Sequence, residues 1–111
     1  MKALLVHNPT AGGGRAGRLV AEVAERLRAD GVETERHQTR SLEDARLAAC
    51  QAAASFDAVV AVGGDGTVGA CAAGLADAVP LGGSGVRAAL GVVPAGGGND
   101  AARSLGLPAG D

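Results

Sequence analysis

The run GGDGT at residues 63–67 has the residue types of a phosphate-binding turn. It directly follows an apolar run, residues 58–62, that predicts a strand covered on both faces, and it precedes a predicted helix at residues 68–78. Glycines let peptide N–H groups approach an anion closely, and a helix N-terminus adds partial positive charge. We therefore expect Thr67 to cap that helix and Asp65 to lie inside a phosphate cradle. The alternative is a purely structural glycine-rich turn, which leaves the carboxylate unexplained.

Hydrophobic periodicity predicts that strands and helices alternate along the whole chain. The helical spacing of Leu19, Val23 and Leu27 predicts a first helix, and Gly31 fits the position just after its end. Residues 41–44 have the form of a capping box for a second helix, with Asp in the acidic position. The other predicted elements are strands at residues 3–6, 32–37, 58–62 and 88–93, the helix at residues 68–78, a short helix through Leu105 and a linker at residues 107–111. This order predicts an α/β fold, a three-layer parallel sheet with helices on both faces.

The carboxyl ends of parallel strands share one edge of a sheet, and ligands bind in the crevice at that edge. Glycine-rich or polar runs follow every predicted strand, at residues 8–12, Thr39, residues 64–70 and residues 94–100. We expect these four loops to converge on one ligand-binding crevice. The glycine-rich run at residues 82–85 follows a helix instead, so we expect it on the opposite side.

Composition narrows the classes of function. The 111 residues carry a net charge of −2 and a single lysine, Lys2, which indicates neither a nucleic-acid-binding protein nor a Walker-type P-loop. Cys50 and Cys71 match no metal-ligand spacing and predict small buried groups in a reducing compartment. No apolar run could span a membrane and no signal peptide is seen, so we expect a cytoplasmic location. His7 could act as a base, but a packed or solvated histidine is the favoured interpretation.

Three motifs together resemble the catalytic domain of the diacylglycerol kinase family, which includes bacterial lipid kinases and sphingosine kinases. They are NPTAG at residues 8–12, GGDGT at residues 63–67, and GVVPAGGGND at residues 91–100, followed by Ala102 and Arg103. GGDGT alone is shared with NAD kinases, whereas the third motif favours the lipid-kinase branch. The resemblance implies the fold of the N-terminal domain of NAD kinases and diacylglycerol kinases, as a single nucleotide-binding domain over residues 1–111.

The resemblance also implies ATP as phosphoryl donor, with Mg²⁺. Asp65 would be the catalytic residue, close to the transferred group or to its magnesium ion. Bacterial members commonly have Asn-Glu where Gly69 and Ala70 stand here, and the family commonly has Thr in place of Gly97. The residues that the resemblance implies for ATP binding are Asn8, Pro9, Thr10, Ala11, Gly12, Thr39, Gly63, Gly64, Asp65, Gly66, Thr67, Val68, Gly69, Ala70, Gly96, Gly97, Asn99 and Asp100.

In the resembled family a following β-rich domain carries the lipid-binding residues, further magnesium ligands and a proposed catalytic carboxylate. The resemblance therefore implies that this chain is the ATP-binding half of a kinase acting on a lipid hydroxyl, and that it is inactive alone. The longer protein could lie at the membrane surface and could be a homodimer. Two alternatives stay open at this stage, an NAD-kinase-like enzyme and a non-catalytic nucleotide- or anion-binding module.

Overall fold

The structure is a computed structural model, which describes residues 1–9, 14–79 and 86–94. Its elements alternate as β1 (Lys2–His7), α1 (Arg15–Ala29), β2 (Glu33–Gln38), α2 (Leu42–Ala52), β3 (Ala58–Gly63), α3 (Asp65–Asp77) and β4 (Ala89–Pro94). Each strand boundary falls within one residue of its prediction. The run at residues 82–85, the short helix through Leu105 and the linker at residues 107–111 lie outside the described residues.

The four strands form one parallel sheet in the order β2-β1-β3-β4, which confirms the predicted α/β architecture. The strand ends are level, because His7 pairs with Gln38 on one side and with Val62 on the other. The connection after β1 leads to β2 on one side, and the connection after β3 leads to β4 on the other side. The loops that follow β1 and β3 therefore diverge at the boundary between these strands, where open α/β sheets bind ligands.

Helices cover both faces of the sheet, as predicted. On one face, α1 places Ala16, Val20 and Ala24 in an apolar cluster with Leu5 and Val62. The opposite face is covered by α2 and α3. Their buried residues form a second apolar cluster with strand residues Leu4, Val6, Val59 and Ala61; the helix residues in it are Ala45, Ala49, Ala52, Cys71 and Leu75. Small side chains dominate both clusters, so the layers approach closely.

The closest approach lies between α2 and α3. A Cβ at Gly74 would stand 2.1 Å from the carbonyl oxygen of Arg46 and 2.9 Å from the Cβ of Ala49, so this position accepts only glycine. The side chains of Arg46 and Asp77 form a salt bridge across the same contact, and this hydrogen bond lowers the pKa of the Asp77 carboxyl. Burial raises the pKa of the Cys71 thiol to about 11, so the thiol stays neutral near neutral pH.

The end of α1 confirms the role predicted for Gly31. Gly31 has a φ of +85°, and its N–H donates to the carbonyl of Arg28 at 3.0 Å. The N–H of Val32 donates to the carbonyl of Leu27 at 2.9 Å, which completes a Schellman motif. Among the described helices, none is long and apolar enough to cross a membrane.

Candidate functional site

The GGDGT run joins β3 directly to α3. Gly63 is the last residue of β3, Gly64 has an extended backbone with φ −90° and ψ −172°, and Asp65 is the first residue of α3. The carbonyl of Gly64 accepts the N–H of Val68 at 3.1 Å, which closes the first helical turn. The helix therefore begins three residues earlier than predicted, because the run itself supplies its first turn.

The predicted cap at Thr67 is wrong. Thr67 lies inside the first turn of α3, is only 4% exposed, and packs back against Gly63. A Cβ at Gly63 would stand 3.0 Å from Thr67 Oγ1 and 3.2 Å from Thr67 Cβ. No side chain of the described residues caps α3, whose N-cap residue is Gly64. Because the first N–H groups of a helix have no partner within the helix, this end of α3 offers donors and partial positive charge to an anion.

Within the described part of the chain, nothing requires glycine at position 64. The φ of Gly64 is one that any residue adopts, and a Cβ placed there would meet no described atom within 4 Å. Gly66 differs, since a Cβ there would stand 3.3 Å from Leu42 Cδ2, so Gly66 serves the contact between the beginnings of α2 and α3. Open space beside an uncapped helix N-terminus is the geometry that lets a phosphate approach the backbone.

Asp65 is exposed at the first position of α3. Across the described ranges, its carboxylate forms no hydrogen bond or salt bridge. A side chain that only ordered its own turn would bond to the backbone of that turn, as aspartates in turns do. The position therefore leaves the Asp65 carboxylate available to a ligand, a metal ion or a substrate proton.

A metal ion at this turn would depend on the ligand that brings it. No group of three His, Cys, Asp or Glu side chains that could hold a metal is found among residues 1–9, 14–79 and 86–94. Magnesium in phosphoryl-transfer sites is held by one or two carboxylates together with substrate phosphates. Asp65 fits the carboxylate part of such a set, and phosphate oxygens and water would supply the rest.

A cavity of about 320 Å³ lies at the same edge, beyond the ends of β1 and β2, and is lined by Asn8, Pro9, Thr39, Arg40, Ser41 and Leu42. Three of these six residues, Asn8, Pro9 and Thr39, were predicted from the sequence, and the structure brings them together. The Thr39 N–H donates to the carbonyl of His7 at 2.9 Å, which ties the Thr39 loop to the end of β1. The other three lining residues were missed, although the capping motif at Ser41 was a signal that α2 begins at this edge.

A small hydrogen-bond network fixes the backbone at the start of α2. Ser41 Oγ accepts the N–H of Asp44 at 3.0 Å, as the predicted capping box requires. The reciprocal bond is different from the prediction, because Asp44 Oδ2 accepts the N–H of Arg40 at 2.9 Å rather than the N–H of Ser41. His37 Nε2 also lies 3.1 Å from Asp44 Oδ2. The bond from Arg40, followed by that from His37, lowers the pKa of the Asp44 carboxyl.

The remaining predicted residues divide into two groups. Val68 and Ala70 pack against the core cluster beneath α3, and Gly69 between them is exposed with no atom within 4 Å of a Cβ placed there. The second group lies outside the described residues and stays a prediction: Thr10, Ala11, Gly12, Gly96, Gly97, Asn99 and Asp100.

A larger cavity, about 750 Å³, lies at the opposite edge of the sheet and is lined by Lys2, Arg28, Gly31, Val32, Glu33, Thr34 and Glu35. Its lysine already forms a salt bridge with Glu35 at 3.0 Å. The helix end beside it is the C-terminus of α1, whose carbonyl groups carry partial negative charge and repel phosphate. The smaller cavity is therefore the better candidate for a phosphate-bearing ligand.

Comparison with known proteins identifies the family of this domain. The family model for the diacylglycerol kinase catalytic domain matches residues 2–111. The chain belongs to the diacylglycerol kinase catalytic domain family. It is 41% identical over 108 residues to a diacylglycerol kinase of Bacillus subtilis (strain 168), covering 96% of this chain and 34% of that protein. It is 34% identical to one of Staphylococcus epidermidis (strain ATCC 35984), covering 96% and 32%.

The fold of this diacylglycerol kinase family domain also matches a solved structure. A provisionally assigned diacylglycerol kinase from Bacillus anthracis str. Sterne aligns with a TM-score of 0.77 and 32% sequence identity, covering 96% of this chain and 37% of that one. The chain spans about a third of the length of the curated relatives it matches.

Proposed function

We propose that this chain binds MgATP and supplies the nucleotide-binding part of a lipid kinase of the diacylglycerol kinase type. The observation that carries the proposal is Gly64. It is a glycine that neither its backbone conformation nor packing against the described residues explains, and it lies between the end of β3 and the N-terminus of α3, which no described side chain caps. A phosphate beside the backbone explains both the open space and the lack of a cap.

The described residues can share the work of phosphoryl transfer, which depends mainly on positioning and on neutralising charge. The peptide N–H groups in the first turn of α3 would bind phosphate oxygens. The cavity between Asn8 and Leu42 would hold another part of the nucleotide. Magnesium, when bound with the phosphates, would neutralise their charge, and Asp65 would face the ion or the proton of the acceptor hydroxyl. Without such a partner, the carboxylate would repel the phosphates.

We propose a lipid hydroxyl as the acceptor, because the matched relatives are named diacylglycerol kinases. Acceptor-binding groups would come from sequence that these relatives have beyond the matched third. On the same reasoning, we expect residues 1–111 alone to phosphorylate diacylglycerol little or not at all. We also expect the full-length protein to work in the cytoplasm, at the membrane surface where its substrate resides.

Nucleotide binding can be tested on the 111-residue chain by recording amide NMR shifts during titration with MgADP and MgATP. We expect the shifts to cluster at Asn8, at residues 39–42 and at residues 64–69. Shifts centred on Lys2 and residues 31–35 would place the ligand in the cavity at the opposite edge and overturn the proposal.

A pair of glycine variants makes the test specific. Gly64→Ala adds one methyl group in open space beside the helix N-terminus, so it should leave the fold intact and weaken MgADP binding at least about tenfold, the scale of a lost hydrogen bond to a charged group. Gly91→Ala adds the same methyl group in β4, 3.4 Å from Val60, and serves as the matched control. Equal affinity in the two variants would argue against phosphate at Gly64.

The acceptor is tested separately with the full-length protein and radiolabelled ATP. Transfer of label to diacylglycerol would support the assignment as a lipid kinase. Transfer to NAD would instead assign the protein to the NAD kinases, which share the GGDGT run. Nucleotide binding with transfer to neither would indicate a non-catalytic binding module.

A further inference from the structure

The Nδ1 atom of His7 is a buried polar atom that has no hydrogen-bond partner within the described part of the chain. The His7 side chain is only 7% exposed, and its Nδ1 is buried without a hydrogen-bond partner. It is the sole side-chain atom with this combination among the described residues. Buried polar groups in folded proteins are nearly always paired, so an exception calls for an explanation.

His7 lies on the face of the sheet that α1 covers. Successive side chains of a strand alternate between faces, so His7 shares its face with Leu5. Leu5 belongs to the same cluster as Ala16, the second residue of α1, so the first turn of α1 lies over the end of β1. The N-cap residue of α1 is Gly14 at φ +95°, which has no side chain to cap the helix. An unpaired imidazole nitrogen and the N-terminus of α1 therefore lie on one face, at the edge of the proposed nucleotide site.

Among residues 1–9, 14–79 and 86–94, no anionic side chain acts on this imidazole. The charged groups that act on it are Arg36 and His37 of β2. On β3, the residue that pairs with His7 is the apolar Val62, and the buried residues of α1 are also apolar. Burial, then Arg36 and then His37, lowers the pKa of His7, so the ring is neutral near neutral pH.

We propose that His7 is a further ligand-binding residue, whose Nδ1–H donates a hydrogen bond to a phosphate oxygen of the nucleotide on the α1 side of the sheet. The inference rests on the proposed function. It explains why an unpaired ring nitrogen is kept at this position, because its partner arrives with the ligand. A phosphate at Nδ1 also favours the charged ring, so His7 takes up a proton when the nucleotide binds near neutral pH.

The test uses two substitutions in the 111-residue chain. His7→Leu fills the space and removes the donor, and His7→Asn keeps an N–H donor at the position of Nδ1. We expect His7→Leu to raise the melting temperature, since it removes an unpaired buried polar group, and to weaken MgADP and inorganic tripolyphosphate binding about 10- to 100-fold. His7→Asn should retain more of the affinity than His7→Leu. A histidine that only packs would give the opposite pattern, with lower stability and unchanged affinity.

A second measurement covers the case in which His7→Leu does not fold. The pKa of His7 in the unsubstituted chain can be followed by NMR with and without MgADP, and it should rise when the nucleotide binds. If MgADP binds but neither the affinity of His7→Leu nor the pKa of His7 changes, this inference fails and the proposed function stands. If the unsubstituted chain binds neither MgADP nor tripolyphosphate, both fail.

Discussion

The Thr67 side chain packs against Gly63 so closely that a Cβ at Gly63 would stand 3.0 Å from Thr67 Oγ1. This contact joins the end of β3 to the first turn of α3, and Thr67 is buried within it. One glycine of the run is thus held by internal packing, whereas a Cβ at Gly64 beside it would meet no described atom within 4 Å. The two neighbouring glycines therefore differ in what surrounds them.

Gly63→Ala should destabilise the chain by about 1–3 kcal/mol, the usual cost of adding a methyl group to a packed site. The free energy of unfolding from chemical denaturation measures the effect. Gly64→Ala is the matched control, because its methyl group would meet no described atom within 4 Å, and its free energy of unfolding should stay within about 0.5 kcal/mol of the original. Equal stability of the two variants would show that the contact with Thr67 relaxes without cost.

Gly74→Ala should be the more damaging change, by about 3 kcal/mol or more, since its Cβ would stand 2.1 Å from the backbone oxygen of Arg46. Only separation of α2 from α3 can relieve that overlap. Gly69→Ala lies in the same helix but is exposed with no neighbour, so higher helix propensity should stabilise the chain by about 0.5–1 kcal/mol. Thermal denaturation of both variants checks the difference in sign. A stable Gly74→Ala chain would contradict the close helix contact.

Asp65→Asn should separate catalysis from folding. The carboxylate has no partner in the described part of the chain, so its loss should cost at most about 1 kcal/mol, the scale of an acidic group at a helix N-terminus. In the full-length protein the same change should lower kcat by about 10²-fold or more, the scale of a lost acid–base group. Near-normal turnover with the same melting temperature would exclude a catalytic role for Asp65.

As the pH is lowered, the free energy of unfolding should decrease in two separate pH ranges. The pKa of His7 is lowered below 6.5 in the folded chain, so the unfolded chain binds more protons and the free energy of unfolding decreases as the pH falls through 6.5. Asp44, Asp57 and Asp77 accept hydrogen bonds that lower their pKa values below 3.8, and their contribution is lost only at more acidic pH. Urea denaturation from pH 7.5 to 3 measures both. His7→Leu should abolish the first decrease and keep the second, and a variant that keeps both would assign the first to another group.

Several features could be predicted from the sequence because they depend on neighbours along the chain. The alternation of strands and helices follows from local apolar spacing, and the Gly31 helix end and the Ser41 cap need only a few adjacent residues. The edge that gathers Asn8, Thr39 and the GGDGT run follows from the alternation itself, since parallel strands share one carboxyl edge.

Contacts between distant segments were decided only by the tertiary structure. The GGDGT run is read as a loop from its glycines, but packing of Thr67 onto Gly63 makes it the first turn of α3. A Cβ at Gly66 or Gly74 would meet residues of α2, whereas one at Gly64 would meet no described atom, and no local pattern distinguishes these glycines. The unpaired Nδ1 of His7 is equally invisible in the sequence. Burial and hydrogen bonding depend on which atoms the whole fold brings together, and spacing along one chain does not contain that information.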